Sequence, residues 1–174
     1  MMRVLGIDPG SRNTGLGVVE STDDGLRLVA SECIRMGGEA LTLRLAAIYR
    51  GVQGIIVEHR PQVAAIERVF VAHNARSALV LGQASGSATC SAVIGGCEVV
   101  EYSAREIKRA VVGIGNANKE QVQHMVRVLL GLRAPPGADE ADALACAICH
   151  IHAAQIEAKL SGSLGDNLSD NRAS

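Results

Sequence analysis

Four carboxylates occupy positions from which they could share a divalent cation. Asp8 ends a short apolar run and precedes a Pro-Gly pair, and Glu67 ends a second apolar run. Asp139 and Asp142 stand three residues apart at the start of an Ala-rich predicted helix, so they share one of its faces. Acids at strand ends and on one helix face can meet at one sheet edge, where Mg²⁺ or Mn²⁺ relieves their repulsion. The pattern predicts metal-dependent phosphoryl-transfer chemistry.

Each acid also has a purely structural interpretation. An Asp before Pro-Gly commonly forms a turn, and a Glu after a strand commonly meets solvent. Acids in the first turn of a helix are favoured by the helix dipole in any case. The metal site is favoured because all four positions fit one sheet edge. Asp8, on the predicted central strand, is then expected to bridge two ions.

The elements that must position these acids follow from periodicity. Strands over 3–8, 14–20 and 26–35, joined by tight turns, predict an antiparallel meander. Strands over 63–67 and 98–102, each reached through a helix, predict parallel pairing. Helices are predicted over 39–59, 75–93, 103–111, 118–130 and 138–159. The prediction is an α/β fold, a five-stranded mixed sheet with three antiparallel and two parallel strands, flanked by helices.

The composition of the chain predicts a single domain located in the cytoplasm. Residues 3–159 are predicted to be one domain, and the Ser-, Gly- and Asn-rich tail 160–174 is predicted to be disordered. Aromatic residues are 2% of the chain, so an aliphatic core is expected. No apolar run approaches the ~20 residues of a membrane span, and no signal-peptide pattern opens the chain. We therefore expect a cytoplasmic protein without membrane contact, whose five cysteines are reduced and buried.

Charge and one aromatic residue indicate a nucleic-acid ligand. Residues 103–133 hold six basic and two acidic side chains, in a chain of net charge −1. A local basic region can bind phosphates, although two solvated helix faces would look the same. Phe70, three residues after Glu67, could stack on bases or wedge between them, with a core position as the alternative. Cys146, Cys149 and His150 match a haem-attachment pattern, but their apolar helix favours core packing.

Several motifs together resemble the RuvC family of bacterial Holliday-junction resolvases. They are Leu5–Arg12, Ala65–Asn74, Val111–Gly115 and Ala138–Ala145, in the family's order, and the likeness covers about residues 3–155. The resemblance implies a ribonuclease H-like fold and a homodimer that binds a four-way DNA junction. It also implies work with the RuvA–RuvB branch-migration complex, and paired symmetric nicks that leave 5′-phosphate and 3′-hydroxyl ends.

The resemblance also implies roles for individual residues. Its catalytic and metal-binding acids match Asp8, Glu67, Asp139 and Asp142, with two Mg²⁺ or Mn²⁺ ions expected in each site. Predicted DNA contacts are Phe70, Lys108 and Lys119, with Arg76, Arg105 and Arg109 in addition. Val80 and Ser85 stand where a basic residue can occur, and His73 replaces a Lys. A thinner positive surface is therefore expected.

Two other classes of function compete with a nuclease. Actin-like sugar or acetate kinases also begin with an Asp- and Gly-rich turn after a strand. They need a second similar domain and a second phosphate loop, for which 174 residues leave no room. A non-catalytic junction-binding protein is the other alternative, and the presence of all four acids argues against it.

Overall fold

A mixed β-sheet forms the centre of the protein. The computed structural model describes residues 1–69 and 75–170. Within these residues the strands are β1 (Met2–Asp8), β2 (Asn13–Thr22), β3 (Gly25–Arg35), β4 (Val63–Glu67) and β5 (Glu98–Tyr102). Their order is β3-β2-β1-β4-β5, with antiparallel pairing among β1, β2 and β3 and parallel pairing of β4 with β1 and β5. The predicted fold class is confirmed.

Helices cover both faces of the sheet. They are α1 (Leu41–His59), α2 (Ala75–Ile94), α3 (Ala104–Val112), α4 (Lys119–Leu129) and α5 (Ala138–Asp170). Ser103 and Asn118 form complete capping boxes at the starts of α3 and α4, as the sequence predicts for Ser103. Arg60 ends α1 in the left-handed conformation, directly before a proline.

The last helix is longer than its sequence pattern predicts. The prediction ends α5 near Lys159, whereas the structure continues it to Asp170. Extending an existing helix costs far less than starting one, so the packed part of α5 can carry weak helix formers at its end. The predicted helix end therefore differs from the structure, and the predicted disorder of residues 160–174 stays a prediction. The domain limits 3–159 stay a prediction.

Two aliphatic clusters lie on opposite faces of the sheet. One packs α3, α4 and α5 against it, around Leu144, Ile148 and Ile151. The other packs α1 and α2 around Leu5 and Ile48. Full burial of such a side chain contributes about 1.5–3 kcal/mol, so the core does not need the scarce aromatic residues.

Three glycines let α5 lie directly on β1 and β2. A Cβ atom at Gly6 would stand 1.8 Å from the carbonyl oxygen of Ala143, and one at Gly15 would stand 2.0 Å from that of Asp139. A Cβ at Gly17 would lie 2.7 Å from the side chain of Leu144. The backbones therefore approach more closely than any side chain permits. This contact places the start of α5 beside the carboxyl end of β1.

The cysteines differ in how deeply they are buried. All five cysteines, each within the described part of the chain, are free thiols; three are buried, Cys33 is half-buried and Cys90 is exposed. The prediction that every cysteine is buried is thus wrong for these two.

The helix α2 is long and apolar enough to span a membrane by length and composition, although the sequence analysis expected no such segment. Core helices of soluble proteins pass the same test, so this is weak evidence.

Candidate active site

A cavity of about 200 Å³ opens where β1 and β4 end. The two strands are parallel and in register, with Ile7 opposite Ile66, so Asp8 and Glu67 leave the sheet at the same edge. The first turns of α5 bring Asp142 to the same place. The lining residues are Asp8, Glu67, Ala104, Ile107, Lys108, Lys119, Val122, Asp142 and Ala145. Three of the four predicted acids and both predicted lysines therefore share one cavity.

The surroundings of Asp8 and Glu67 disfavour the ionised form of both carboxyl groups. Burial, followed by the charges of Glu67 and Asp142, raises the pKa of Asp8 to about 7. Burial, followed by the charge of Asp142, raises the pKa of Glu67. Lys119 acts in the opposite direction on both residues. A site that holds anionic oxygens this unfavourably is suited to a cation.

Lys119 pairs with one of these acids. Its Nζ atom donates a hydrogen bond to Oδ2 of Asp142 at 3.1 Å, and this bond raises the pKa of Lys119. The lysine side chain is 76% exposed, so the pair is only a weak contribution to stability. It nevertheless supplies the positive charge that the acids otherwise lack.

Asp139 does not line the cavity, although its charge acts on Asp8 and on Lys119. Its Oδ2 atom accepts a hydrogen bond from Nδ2 of Asn13 at 2.9 Å and lies 3.5 Å from Sγ of Cys33. Asn13 begins β2 and Cys33 lies on β3, so Asp139 is held on the β2–β3 side of Asp8. The sequence analysis did not identify either partner, because a separation of more than 100 residues leaves no local signal.

The metal cage predicted from the sequence is not formed in this conformation. Among the described residues, no three His, Cys, Asp or Glu side chains are gathered closely enough to hold a metal ion. Asp142 instead pairs with Lys119, and Asp139 accepts a hydrogen bond from Asn13. The donor set itself fits a hard divalent cation, since Asp8 and Glu67 present carboxylate oxygens whose charge is poorly compensated.

The predicted DNA contacts fall in different places. Lys108 and Lys119 line the cavity, as a phosphate-binding role requires. Arg105 is exposed on α3 and packs against Gly115. Arg109 instead lines a separate cavity of about 500 Å³ between α3 and α5. Arg109 therefore lies apart from the acids.

The remaining predicted contacts lie near the start of α2. Arg76 is exposed in its first turn. Phe70 and His73 lie outside the described residues. A second cavity of about 260 Å³ shares Asp8 and Glu67 with the first and extends to Val69. This cavity therefore connects Asp8 and Glu67 with Leu81 of α2.

Cys146, Cys149 and His150 serve the core. Both thiols are buried in the cluster beneath α5, and burial is the main cause that raises their pKa values. Nδ1 of His150 lies 2.9 Å from the hydroxyl of Tyr102. The thiol of Cys146 lies close enough to the acids for the charges of Glu67 and Asp8 to act on it, while His150 is half-buried.

A mixed five-stranded sheet in this order, with acids at the ends of its two central strands, defines the ribonuclease H-like class. Residues 4–150 match the family model described as Crossover junction endodeoxyribonuclease RuvC. The chain belongs to this family. It is similar to proteins of that name from Hahella chejuensis, 56% identical over 89% of this chain and 90% of the relative, and from Alkalilimnicola ehrlichii, 51% identical over 92% and 97%.

A solved structure has the same fold. The RuvC of Thermus thermophilus, solved in complex with a Holliday junction substrate, superposes with a TM-score of 0.84 at 34% identity. The match covers 90% of this chain and 97% of the other. The family predicted from the sequence motifs is confirmed.

Proposed function

We propose that this protein is a structure-selective endonuclease that resolves four-way DNA junctions by symmetric paired nicks. Membership of an endodeoxyribonuclease family supports the reaction class. The complex of the Thermus relative supports the substrate. The observation that carries the proposal is a cavity at the sheet edge lined by three carboxylates and two lysines.

Asp8, Glu67, Asp139 and Asp142 are the residues that would hold two Mg²⁺ or Mn²⁺ ions. Such ions, when bound, activate the attacking water and neutralise charge on the leaving oxygen of a phosphodiester. Asp139 and Asp142 each accept the bond from Asn13 or Lys119 through Oδ2, and a carboxylate has further lone pairs that could bind an ion. The high pKa of Asp8 means that it also loses a proton on binding a cation near neutral pH.

The chain's own side chains bind and position the DNA strand. Lys108 and Lys119 lie at the cavity wall, where their ammonium groups can pair with phosphates on either side of the cut. Ile107 and Val122 form an apolar wall that limits water around the acids. Phe70 is proposed to contact bases, and Arg76, Arg105 and Arg109 to contact more distant parts of the junction.

Paired cutting requires two such sites, so we propose a homodimer. A two-fold axis would present one cavity to each of two opposed strands. The α2 helix supports this proposal because it exposes large apolar side chains. These are Leu79, Val93 and Ile94, exposed by 64%, 57% and 69%. Work with the RuvA–RuvB complex in the cytoplasm, without a membrane, belongs to the same proposal.

A nicking assay tests the function. Purified protein is incubated with a four-way junction labelled on each strand in turn, with Mg²⁺ or with EDTA. We expect cuts in two opposed strands at symmetric positions with Mg²⁺, and ends that DNA ligase can seal. The Asp8→Asn variant should bind the junction and fail to cut it, because one carboxylate of the cation site is missing. Normal cutting by this variant would refute the role of Asp8, and no cutting by the unmodified protein would refute the function.

A further inference from the structure

A fourth cavity, of about 360 Å³, lies beside the turn that follows Asp8. It is lined by Arg12, Met36, Gly37, Gly38, Glu39 and Arg44. Arg12 belongs to the β1–β2 turn, and Arg44 belongs to the first turns of α1. None of these residues lines the cavity of the acids. The positive side chains therefore face a space that the proposed cleavage chemistry leaves unexplained.

Arg44 is held in place but incompletely bonded. Its Nη1 atom donates a hydrogen bond to the carbonyl oxygen of Ser11 at 2.5 Å, which ties α1 to the turn after Asp8. Its Nε atom is buried and has no hydrogen-bond acceptor among the described residues. An unpaired buried donor of a charged group is costly, and such a group needs an explanation. No carboxylate pairs with Arg44 among the described residues, so the charge of its guanidinium group is left for an anion.

The start of α1 strengthens the case for an anion. Its N-cap residue, Ala40, provides no side-chain hydrogen bond, and the first turn contains no acid. The positive end of the helix dipole is thus uncompensated beside two guanidinium groups. Glu39 is the opposing charge, and it is exposed at the rim of the cavity. Two arginines and a helix end against one exposed carboxylate leave the site net positive.

We propose that Arg12, Arg44 and the start of α1 bind a backbone phosphate of the DNA strand that is cut. The inference rests on the proposed function and extends it to a contact that the sequence analysis did not identify. Planar guanidinium groups bind phosphate oxygens through paired hydrogen bonds. Arg12 stands four positions after Asp8, so their Cα atoms lie within about 15 Å. The bound phosphate therefore belongs to the part of the strand near the cut.

The lysines and the arginines lie on different sides of the acids and belong to different elements. Lys108 and Lys119 approach from α3 and α4, on one face of the sheet, whereas Arg44 approaches from α1, on the other. A strand held at both sites would cross the sheet edge at Asp8. The arginine site therefore fixes the direction in which the strand enters.

The salt dependence of junction binding tests the proposal. The full-length protein is titrated with a fluorescent four-way junction in EDTA, between about 50 and 200 mM salt. Loss of one phosphate contact lowers the slope of log K against log salt by about 0.9. We expect Arg12→Ala and Arg44→Gln each to show this loss, and Arg44→Lys to keep the slope with weaker binding. Glu39→Gln should tighten binding, because it removes the opposing charge.

Arg50→Ala is the matched control, since Arg50 is exposed on the same helix and does not line the cavity. The proposal is overturned if Arg12→Ala and Glu39→Gln both bind as Arg50→Ala does. A second measurement compares thermal unfolding in inorganic phosphate and in chloride at equal ionic strength. Stabilisation by phosphate that Arg12→Ala removes, with an unchanged slope for DNA, would identify a free-anion site and also overturn it. Nicking by the unmodified protein tests the proposed function separately.

Discussion

Asp8→Asn should make this protein more stable while abolishing its proposed activity. The substitution keeps the size and shape of the side chain, so it creates no cavity. It removes a carboxylate whose ionisation is opposed by burial and by Glu67 and Asp142. A residue retained at a cost to stability is typical of a functional site.

The pKa of Asp8 sets the magnitude and the pH window. It rises from 3.8 to about 7 on folding, and each unit is worth about 1.4 kcal/mol, so ionised Asp8 costs up to about 4 kcal/mol. Between these two values the folded state binds more protons than the unfolded state, so the free energy of unfolding falls as pH rises. The loss is complete above pH 7. The Asn variant lacks this decline.

Urea unfolding in EDTA at pH 5 and pH 8 measures the effect. We expect the advantage of Asp8→Asn to grow between these two values. Glu32→Gln, at an exposed carboxylate of β3, is the control and should leave the pH dependence unchanged. Added Mg²⁺ should narrow the gap at pH 8, because it stabilises only a protein that binds it. A variant no more stable than the unmodified protein at pH 8 would refute the account of the acids.

Three further substitutions test other parts of the structure. Lys119→Met should lower stability in EDTA and tighten Mn²⁺ binding, measured by calorimetry, because it removes the hydrogen bond that Lys119 donates to Asp142. Lys108→Met is the control, and equal Mn²⁺ affinity in both variants would show that Lys119 does not compete with the ion for Asp142. Gly6→Ala should destabilise by ~3 kcal/mol or more, since its Cβ meets the backbone of α5; a Tm close to that of the unmodified protein would contradict this. Ser103→Ala should cost about 1 kcal/mol by urea unfolding through loss of a helix cap, and unchanged stability would show that the cap is dispensable.

Local patterns were sufficient to predict the framework. Strands β4 and β5 were predicted to the residue, because each is a short segment with adjacent Val, Ala or Ile residues between two predicted helices. The parallel pairing of β1 with β4 then placed Asp8 and Glu67 at one edge without any knowledge of side-chain positions. These predictions required only periodicity and the handedness of the crossover.

The final positions of the acids could not be predicted in the same way. Spacing showed that Asp139 and Asp142 share a helix face, but the bond of Asp139 to Asn13 depends on two segments 126 residues apart. The pairing of Asp142 with Lys119 depends on how α4 meets α5. Both contacts join segments that are distant along the chain, so local patterns in the sequence do not reveal them.

The contact of α5 with Gly6, Gly15 and Gly17 determines how this family member can change over evolution. At Gly6 and Gly15 main chain meets main chain, so the distance between the helix and the sheet there does not depend on which aliphatic side chains fill the interior, whereas Gly17 meets the side chain of Leu144. Substitutions among Val, Ile and Leu in the core would therefore leave the distance between Asp8 and the start of α5 nearly unchanged. A single methyl group at one of the three positions would instead alter that distance at once.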